Sequence, residues 1–413
     1  MKTLGTGFIV FFMILSSLGT AWSQEKKVLT LEDAVSIALD KNPGITVSEA
    51  NVEISKALVR NMKAPYYPEI YTRIIVPFVG RESGFFLDQM IWDFGRTSNL
   101  VKSSKAQLES SRYQRDTARE DIELNTVVSY YTVLSQTHIT EAYEKKAVEA
   151  EKRFERAEGF YKAGRISQIE VTKEEVNLGN SKMELSAARN DLEIAEDSLM
   201  TAMGLEGEFD FELVDSLAYK KKDISLEDSI DRALDTRPEL KSLEAQQASM
   251  KANLAATKKE FYPLLFGRTA YRFKGEGAET PGFIAGVGLQ FPIFEGFSRF
   301  ADIQDAKAKL MRSQAEMETA KVEIAAEVKQ LKLDLDLAEE NIQITEKTRI
   351  SAERSFLLAQ ERYRLERASE LELAEAEAVY SSSKAAYMQS IYNYNITAAR
   401  LERAIGGTDE LDK

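Results

Sequence analysis

The sequence predicts a mainly α-helical chain with a small β part and an internal two-fold repeat. Three observations predict it. Leu31-Glu32-Asp33-Ala34 returns as Leu226-Glu227-Asp228-Ser229, and Tyr67-Pro68 returns as Tyr262-Pro263, each at an offset of 195 residues. From Phe94 to Phe160 the chain runs 67 residues without a proline, enough for roughly 100 Å of helix. The turn-like stretches that begin at Tyr161 and Tyr363, now 202 residues apart, each interrupt such a helical pattern and start another. A repeat this long marks a duplicated structural unit, and it governs how the other residues are assigned.

Composition bounds the possibilities. With 413 residues, 44% hydrophobic and 29% charged, the chain has enough apolar side chain to pack a core. No run of about 20 apolar residues occurs, which excludes an inner-membrane helical bundle. The longest apolar run, Gly7 to Gly19, follows Lys2 and precedes Ala21-Trp22-Ser23, with small residues two positions apart as a secretory cleavage site requires. Residues 1–23 therefore read as a signal peptide. Cysteine is absent, so the exported chain has neither disulfides nor the thiol that lipoproteins acylate. A single histidine, His138, in a helical pattern reads as a packing or helix-surface residue, and no metal or cofactor is expected. The net charge of −13 and the lack of a basic patch speak against nucleic acid. That charge suits a pore or surface that meets cations, and equally plain solubility.

In chain order, the first unit covers 24–207, a linker 208–224, the second unit 225–407 and a tail 408–413. Each unit opens with a helix. Thr30 and Ser225 stand as N-caps with an acidic residue three positions on, in capping-box fashion. Asn42-Pro43 and Arg237-Pro238 break these helices, since the residue before proline is pushed out of the helical region. Second helices follow over about 45–63 and 239–260.

The β part of each unit comes next, as hairpins over about 69–92 and 264–294. In the second, Leu265, Thr269, Tyr271 and Phe273 alternate with Arg268, Arg272 and Lys274, and Phe283, Val287, Leu289 and Phe291 continue the pattern after a turn. Such alternation over about 10 residues fits a tilted strand with lipid on one face and water on the other. A soluble, half-buried hairpin fits the same periodicity. If the hairpins lie in a membrane, four strands per chain cannot close a barrel, so several chains must share one.

The long arms follow. Leu310, Met317, Ile324 and Leu331 recur every seven residues, with Val328, Leu335 and Ile342 as a companion seam. Heptads with charged flanks signal supercoiled helix packing. Return helices over about 168–203 and 370–405 are rich in alanine and serine, which lets helices approach closely. The linker, with its Lys220–Lys222 run, reads as a surface crossover.

In this arrangement the chain resembles the TolC-like outer membrane efflux protein family. The resemblance rests on the two Leu-Glu-Asp openings, Tyr-Pro before each hairpin, the exits Ile91-Trp92-Asp93-Phe94-Gly95 and Ile293-Phe294-Glu295-Gly296, and the tips at Tyr161 and Tyr363. It covers about residues 28–407. It implies a homotrimer in outer-membrane lipid, with a shared twelve-stranded β-barrel continued by an antiparallel coiled-coil α-barrel through the periplasm. It also implies a passive conduit rather than an enzyme, whose periplasmic end opens when an adaptor coupled to an inner-membrane pump docks. The family's tips commonly carry Tyr-x-x-Gly; Gly164 keeps it in the first copy, but Glu366 replaces it in the second. Ala368 stands where many members have a basic residue, with Arg367 one position earlier.

The resemblance places adaptor docking at the tips, on Tyr161, Gly164, Arg165, Ser167 and Ser369. Glu372 and Glu375 lie three apart on one helix face one turn after the second tip, and Glu170 holds the matching place after the first. If the return helices line a tunnel, three-fold symmetry makes each glutamate a ring of three, an acidic and cation-preferring gate. Tyr363, Arg367 and Glu170 are expected to hold that gate shut. Two alternatives stand beside the duct. A periplasmic coiled-coil adaptor or scaffold would explain the arms but not the duplicated alternating hairpins. An exported enzyme would need a nucleophile–base pair near Glu372 and Glu375, and the sequence offers none. The cargo and the pump class are not encoded, because a duct is specified by width and charge.

Overall fold

The computed structural model describes residues 27–74, 83–215, 219, 221, 224–273, 282–365 and 367–407. The expected signal peptide (1–23), the tail (408–413), the hairpin turns and Glu366 lie outside the described residues. The duplication appears as matched element lengths. Helices α1 (Leu31–Lys41) and α2 (Pro43–Lys63) correspond to α5 (Leu226–Thr236) and α6 (Pro238–Lys258). The long helices α3 (Arg96–Lys162) and α7 (Ser298–Arg364) have 67 residues each, and the return helices α4 (Gln168–Met203) and α8 (Glu370–Ile405) have 36 each.

Local chemistry sets the helix ends unequally. Thr30 makes the full capping box with Asp33, but Ser225 caps α5 without a side-chain hydrogen bond, so that expectation fails in the second copy. Asn42 ends α1 and starts α2: its side chain accepts from Gly44 N at 2.8 Å and donates to Ala202 O at 2.8 Å, fastening the break to the end of α4.

The linker departs from the expected surface crossover. Its strand β4 (Phe211–Leu213) pairs in parallel with β1 (Lys27–Leu29), so the first unit opens with a strand rather than a helix. Tyr130, buried on α3, offers its hydroxyl to Leu29 O and Val214 O at 3.0 and 2.9 Å. Beyond β4, Asp215 accepts from Tyr392 of α8 at 3.0 Å and lies 2.9 Å from His138 of α3, whose ring stacks on Tyr392. Burial and the Asp215 carboxylate both raise the Tyr392 hydroxyl well above its ordinary range. His138 thus packs where the two repeats and the linker meet. Short-range periodicity cannot reveal these anchors, because their partners lie 77–177 residues away.

Along the second arm, Met317, Ile324, Val328, Leu335 and Ile342 are buried in one apolar cluster with Leu240 of α6 and Ile391, Leu401 and Ile405 of α8, while Leu310 and Leu331 are only partly covered. In the first arm Tyr130, Val133 and Leu134 pack on Leu199 and Met203. At the sheet end the helices lie side by side in the order α2, α3, α6, α7; towards the tips the order is α4, α3, α8, α7.

The hairpins form one antiparallel sheet in the order β2 (Glu69–Arg73), β3 (Gly84–Trp92), β5 (Leu264–Arg272), β6 (Gly282–Gln290). Glu69 faces Asp88, and Leu264 faces Gln290. The second hairpin is therefore seven residues longer between equivalent partners, which accounts for the change of offset from 195 to 202. Register also sorts the faces. Ile70, Phe85, Leu87, Tyr271, Phe283, Val287 and Leu289 share one face, and Glu69, Arg73, Asp88, Arg268 and Arg272 share the other. On the charged face, Arg268 holds Asp88 with two hydrogen bonds of 2.7 Å.

Each descending strand enters its long helix through two successive left-handed residues: Phe94 (φ 55°) and Gly95 (φ 87°), then Gly296 (φ 60°) and Phe297 (φ 64°). Such a backbone costs a non-glycine residue about 1–2 kcal/mol, so both phenylalanines are strained.

Candidate functional site at the hairpin tips

The two tips turn the chain with the same backbone bonds. Ala163 N donates to Gly159 O at 3.1 Å and Arg165 N to Phe160 O at 2.9 Å; Leu365 N donates to Glu361 O at 3.1 Å and Arg367 N to Arg362 O at 2.7 Å. Gly164 has φ +71°, with nothing within 4 Å of where a Cβ would stand. Only the left-handed conformation, not crowding, asks for glycine there. Tyr161 and Tyr363 are both exposed at the ends of their helices.

The side chains differ. After the first tip, Glu170 pairs with Lys173 on its own helix at 3.2 Å. After the second, Glu372 reaches across to Arg362 of α7 at 2.5 Å, and the same guanidinium donates to Arg367 O at 3.3 Å. Ser369 caps α8 by accepting from Glu372 N at 3.1 Å, whereas Ser167 caps α4 without a side-chain bond. Arg362, Arg367, Ser369 and Glu372 therefore form one cluster. Glu375 is exposed on the next turn. Among the described residues, Glu170 bonds to Lys173 and Glu372 to Arg362, rather than to each other or to Tyr363. Sequence reasoning missed Arg362. Its signal lay in the repeat, because the equivalent position in the first copy is Phe160.

A second charged cluster lies midway along the arms, where both hairpins meet. Arg403 of α8 donates to Asp121 of α3 at 2.7 and 3.0 Å and also pairs with Glu239 of α6, while Arg237 donates to Glu327 of α7 at 2.6 Å. Glu120 stands beside them with one buried carboxylate oxygen lacking a hydrogen bond. Burial above all, against the attraction of Arg403 and Arg237 and with repulsion from Glu239 and Asp121, pushes its carboxyl up to about 7. Among the described residues no group of histidine, cysteine or carboxylate side chains could hold a metal ion. No described helix is long and apolar enough to cross a membrane.

The sequence profile described as outer membrane efflux protein matches residues 81–205 and 229–407. The chain is 24% identical to Protein CyaE of Bordetella pertussis over 337 residues, covering 75% of this chain and 70% of that protein. It is 25% identical to outer membrane efflux protein BepC of Brucella suis over 311 residues, covering 70% and 66%. The chain thus spans about two thirds of the length of these curated relatives. In structure it superposes on the Campylobacter jejuni CmeC outer membrane channel with a TM-score of 0.77 at 16% identity, over 91% of this chain and 85% of that one.

Proposed function

Since the chain belongs to the outer membrane efflux protein family, we propose that three copies assemble into a duct that carries substrates passively from a periplasmic adaptor and its inner-membrane pump to the exterior. The protein is an outer-membrane exit duct of the efflux or type I secretion kind, with a long periplasmic helical part. The observation that carries the trimer is the sheet. Among the described residues its edge strands β2 and β6 each pair on one side only, with β3 and β5, and its charged side chains gather on one of the two faces. Unpaired backbone groups are not tolerated in lipid, so an open four-stranded sheet must close with other copies. Three copies give twelve strands, within the range of known membrane barrels.

The helices carry matching seams. Exposed Ile169, Val176 and Met183 recur every seven residues along α4, and exposed Val47 and Ile54 do so on α2. On the opposite edge, exposed Met311, Val322, Leu333 and Ile344 recur every eleven residues along α7. One edge of a copy meeting the other edge of the next is a head-to-tail contact, which closes into a ring when the rotation per copy is a third of a turn.

At the tips, Tyr161, Gly164, Arg165 and Ser167 with Ser369 form the adaptor surface. Glu372 and Glu375 form the acidic gate, with Glu170, Tyr363 and Arg367 beside it, and Arg362 joins this set as the brace on Glu372. Mild-detergent gels of unheated protein test the assembly. Heat-resistant trimers are expected, and a folded, membrane-inserted monomer contradicts the barrel.

A further inference from the structure

We propose that Arg73 and Arg272 form an oxyanion site inside the outer end of the barrel, taking carboxylate or phosphate groups of solutes that leave through it. The site rests on the duct reading above, and the strand register locates it. Arg73 of β2 faces Gly84 of β3, Gly84 faces Arg272 of β5, and Arg272 faces Gly282 of β6. One rung across the whole sheet thus reads arginine, glycine, arginine, glycine. Neighbouring strands lie about 4.8 Å apart, so the two arginines stand about 10 Å apart with no side chain between them. The helices join the sheet at the other end, before Glu69 of β2 and after Trp92 of β3, so this rung lies at the end remote from the helices.

Charge on this face changes sign along the strands. The next rung towards the helices, Tyr71, Phe86, Ala270 and Ile284, is uncharged. The rung after it, Glu69, Asp88, Arg268 and Gly286, sets two carboxylates against one arginine, and Arg268 holds both oxygens of Asp88. The outer rung has two arginines and no carboxylate. Three copies would bring six arginines to one end of a shared lumen, opposite in sign to the acidic tips.

The side chains are set for an oxyanion. The Arg73 guanidinium lies over the rings of Tyr71 and Phe86, 5.8 and 5.5 Å from their centroids, and these rings stack on each other at 5.2 Å. Stacking holds the planar fork in one orientation, so less freedom is lost when it meets a carboxylate or phosphate. Arg272 supplies an unsatisfied donor. Its Nε is buried and finds no acceptor among the described residues. A buried N–H without an acceptor is costly, and an incoming oxyanion offers the acceptor that it lacks. The anion comes from the lumen rather than from lipid, because exposed Phe85, Tyr271 and Phe283 occupy the neighbouring positions on the opposite, lipid-facing side.

The test uses the full-length protein in planar bilayers, with sodium tripolyphosphate as the probe. Added on the barrel side, it should lower the parent conductance in a saturable way. Arg73→Gln with Arg272→Gln should raise the half-blocking concentration about tenfold or more. Arg272→Gln alone leaves the Arg73 stack in place and should give a smaller rise; it carries the test if the double variant does not assemble. Arg272→Lys keeps the charge without the fork and should retain part of the block. A parent channel indifferent to tripolyphosphate, or one half-blocking concentration shared by the parent and Arg272→Gln, would overturn the site while leaving the duct reading intact. A parent protein that opens no conducting path would overturn the duct reading, and the site with it.

Discussion

The two hairpin tips share a backbone and differ in how their glutamates are held. Position for position, 202 residues apart, Glu170 answers Glu372, Lys173 answers Glu375 and Phe160 answers Arg362. In the first tip Glu170 is satisfied along its own helix by Lys173. In the second, that lysine has become Glu375, and Glu372 turns across the hairpin to the arginine that replaces Phe160. Among the described residues, the second glutamate bonds to the opposite arm and the first to its own helix. On the function proposed above, most of the docking residues fall on the glycine-bearing tip and most of the gate residues on the cross-braced one.

The largest expected effect tests the docking half. In Gly164→Val the left-handed turn costs about 1–2 kcal/mol locally, and no side chain crowds the site. Recovery of the adaptor in crosslinked pulldowns from native membranes should be lost while the trimer level stays normal. Normal recovery would move docking away from this tip.

Exchanging the brace tests the closure half. Arg362→Phe with Glu375→Lys gives the second tip the first tip's pattern. Each exposed pair contributes about 0.5 kcal/mol, so three in a trimer should shift the closed-to-open ratio about tenfold. Planar-bilayer recordings should show the rise in open probability; an unchanged value would leave the brace without a gating role. Selectivity sharpens the same contrast. Glu372→Gln with Glu375→Gln should weaken cation preference and block by multivalent cations, whereas Glu170→Gln should change them less. Equal effects would erase the distinction between the tips.

The smallest effect concerns the cluster that both hairpins share. Glu120 faces Asp121 on its own helix, Arg237 between α5 and α6, Glu239 of α6 and Arg403 of α8, and its carboxyl is pushed up to about 7, above the ordinary glutamate value. A raised carboxyl favours the protonated form, so this contribution is fully present below about pH 4.5 and lost as pH rises through about 7. With its partial exposure discounted, the effect is about 1 kcal/mol. The unfolding temperature should fall from pH 6 to pH 8, and Glu120→Gln should flatten that slope and raise stability at pH 8. A parallel slope in the variant would assign the pH dependence to another group.

Much of the fold was legible because helix and strand periods are local. The proline-free stretch after Phe94 became one 67-residue helix, and the alternation from Leu265 to Phe291 became the two faces of a sheet. What stayed hidden depends on partners far apart in sequence. Strand β4 exists because it pairs with β1 from the other end of the first unit, and Asp215 is fixed by His138 and Tyr392 from both repeats. The tips show the same division. Gly164 declared its left-handed turn by residue type, but the Arg362–Glu372 pair emerges only when the copies are set side by side. The first copy carries no arginine at the equivalent place.

The central claim is that β6 of one copy closes on β2 of the next, three times around. Because the chain lacks cysteine, Ile70→Cys on β2 with Leu289→Cys on β6 can be bridged in native membranes by a short bifunctional thiol reagent without background. These residues lie on opposite edge strands of one chain's sheet and on the same apolar face. A covalent ladder of one, two and three chains that stops at three is the expected result. A ladder that stops at two, or a bridge formed only within single chains, would contradict the shared barrel.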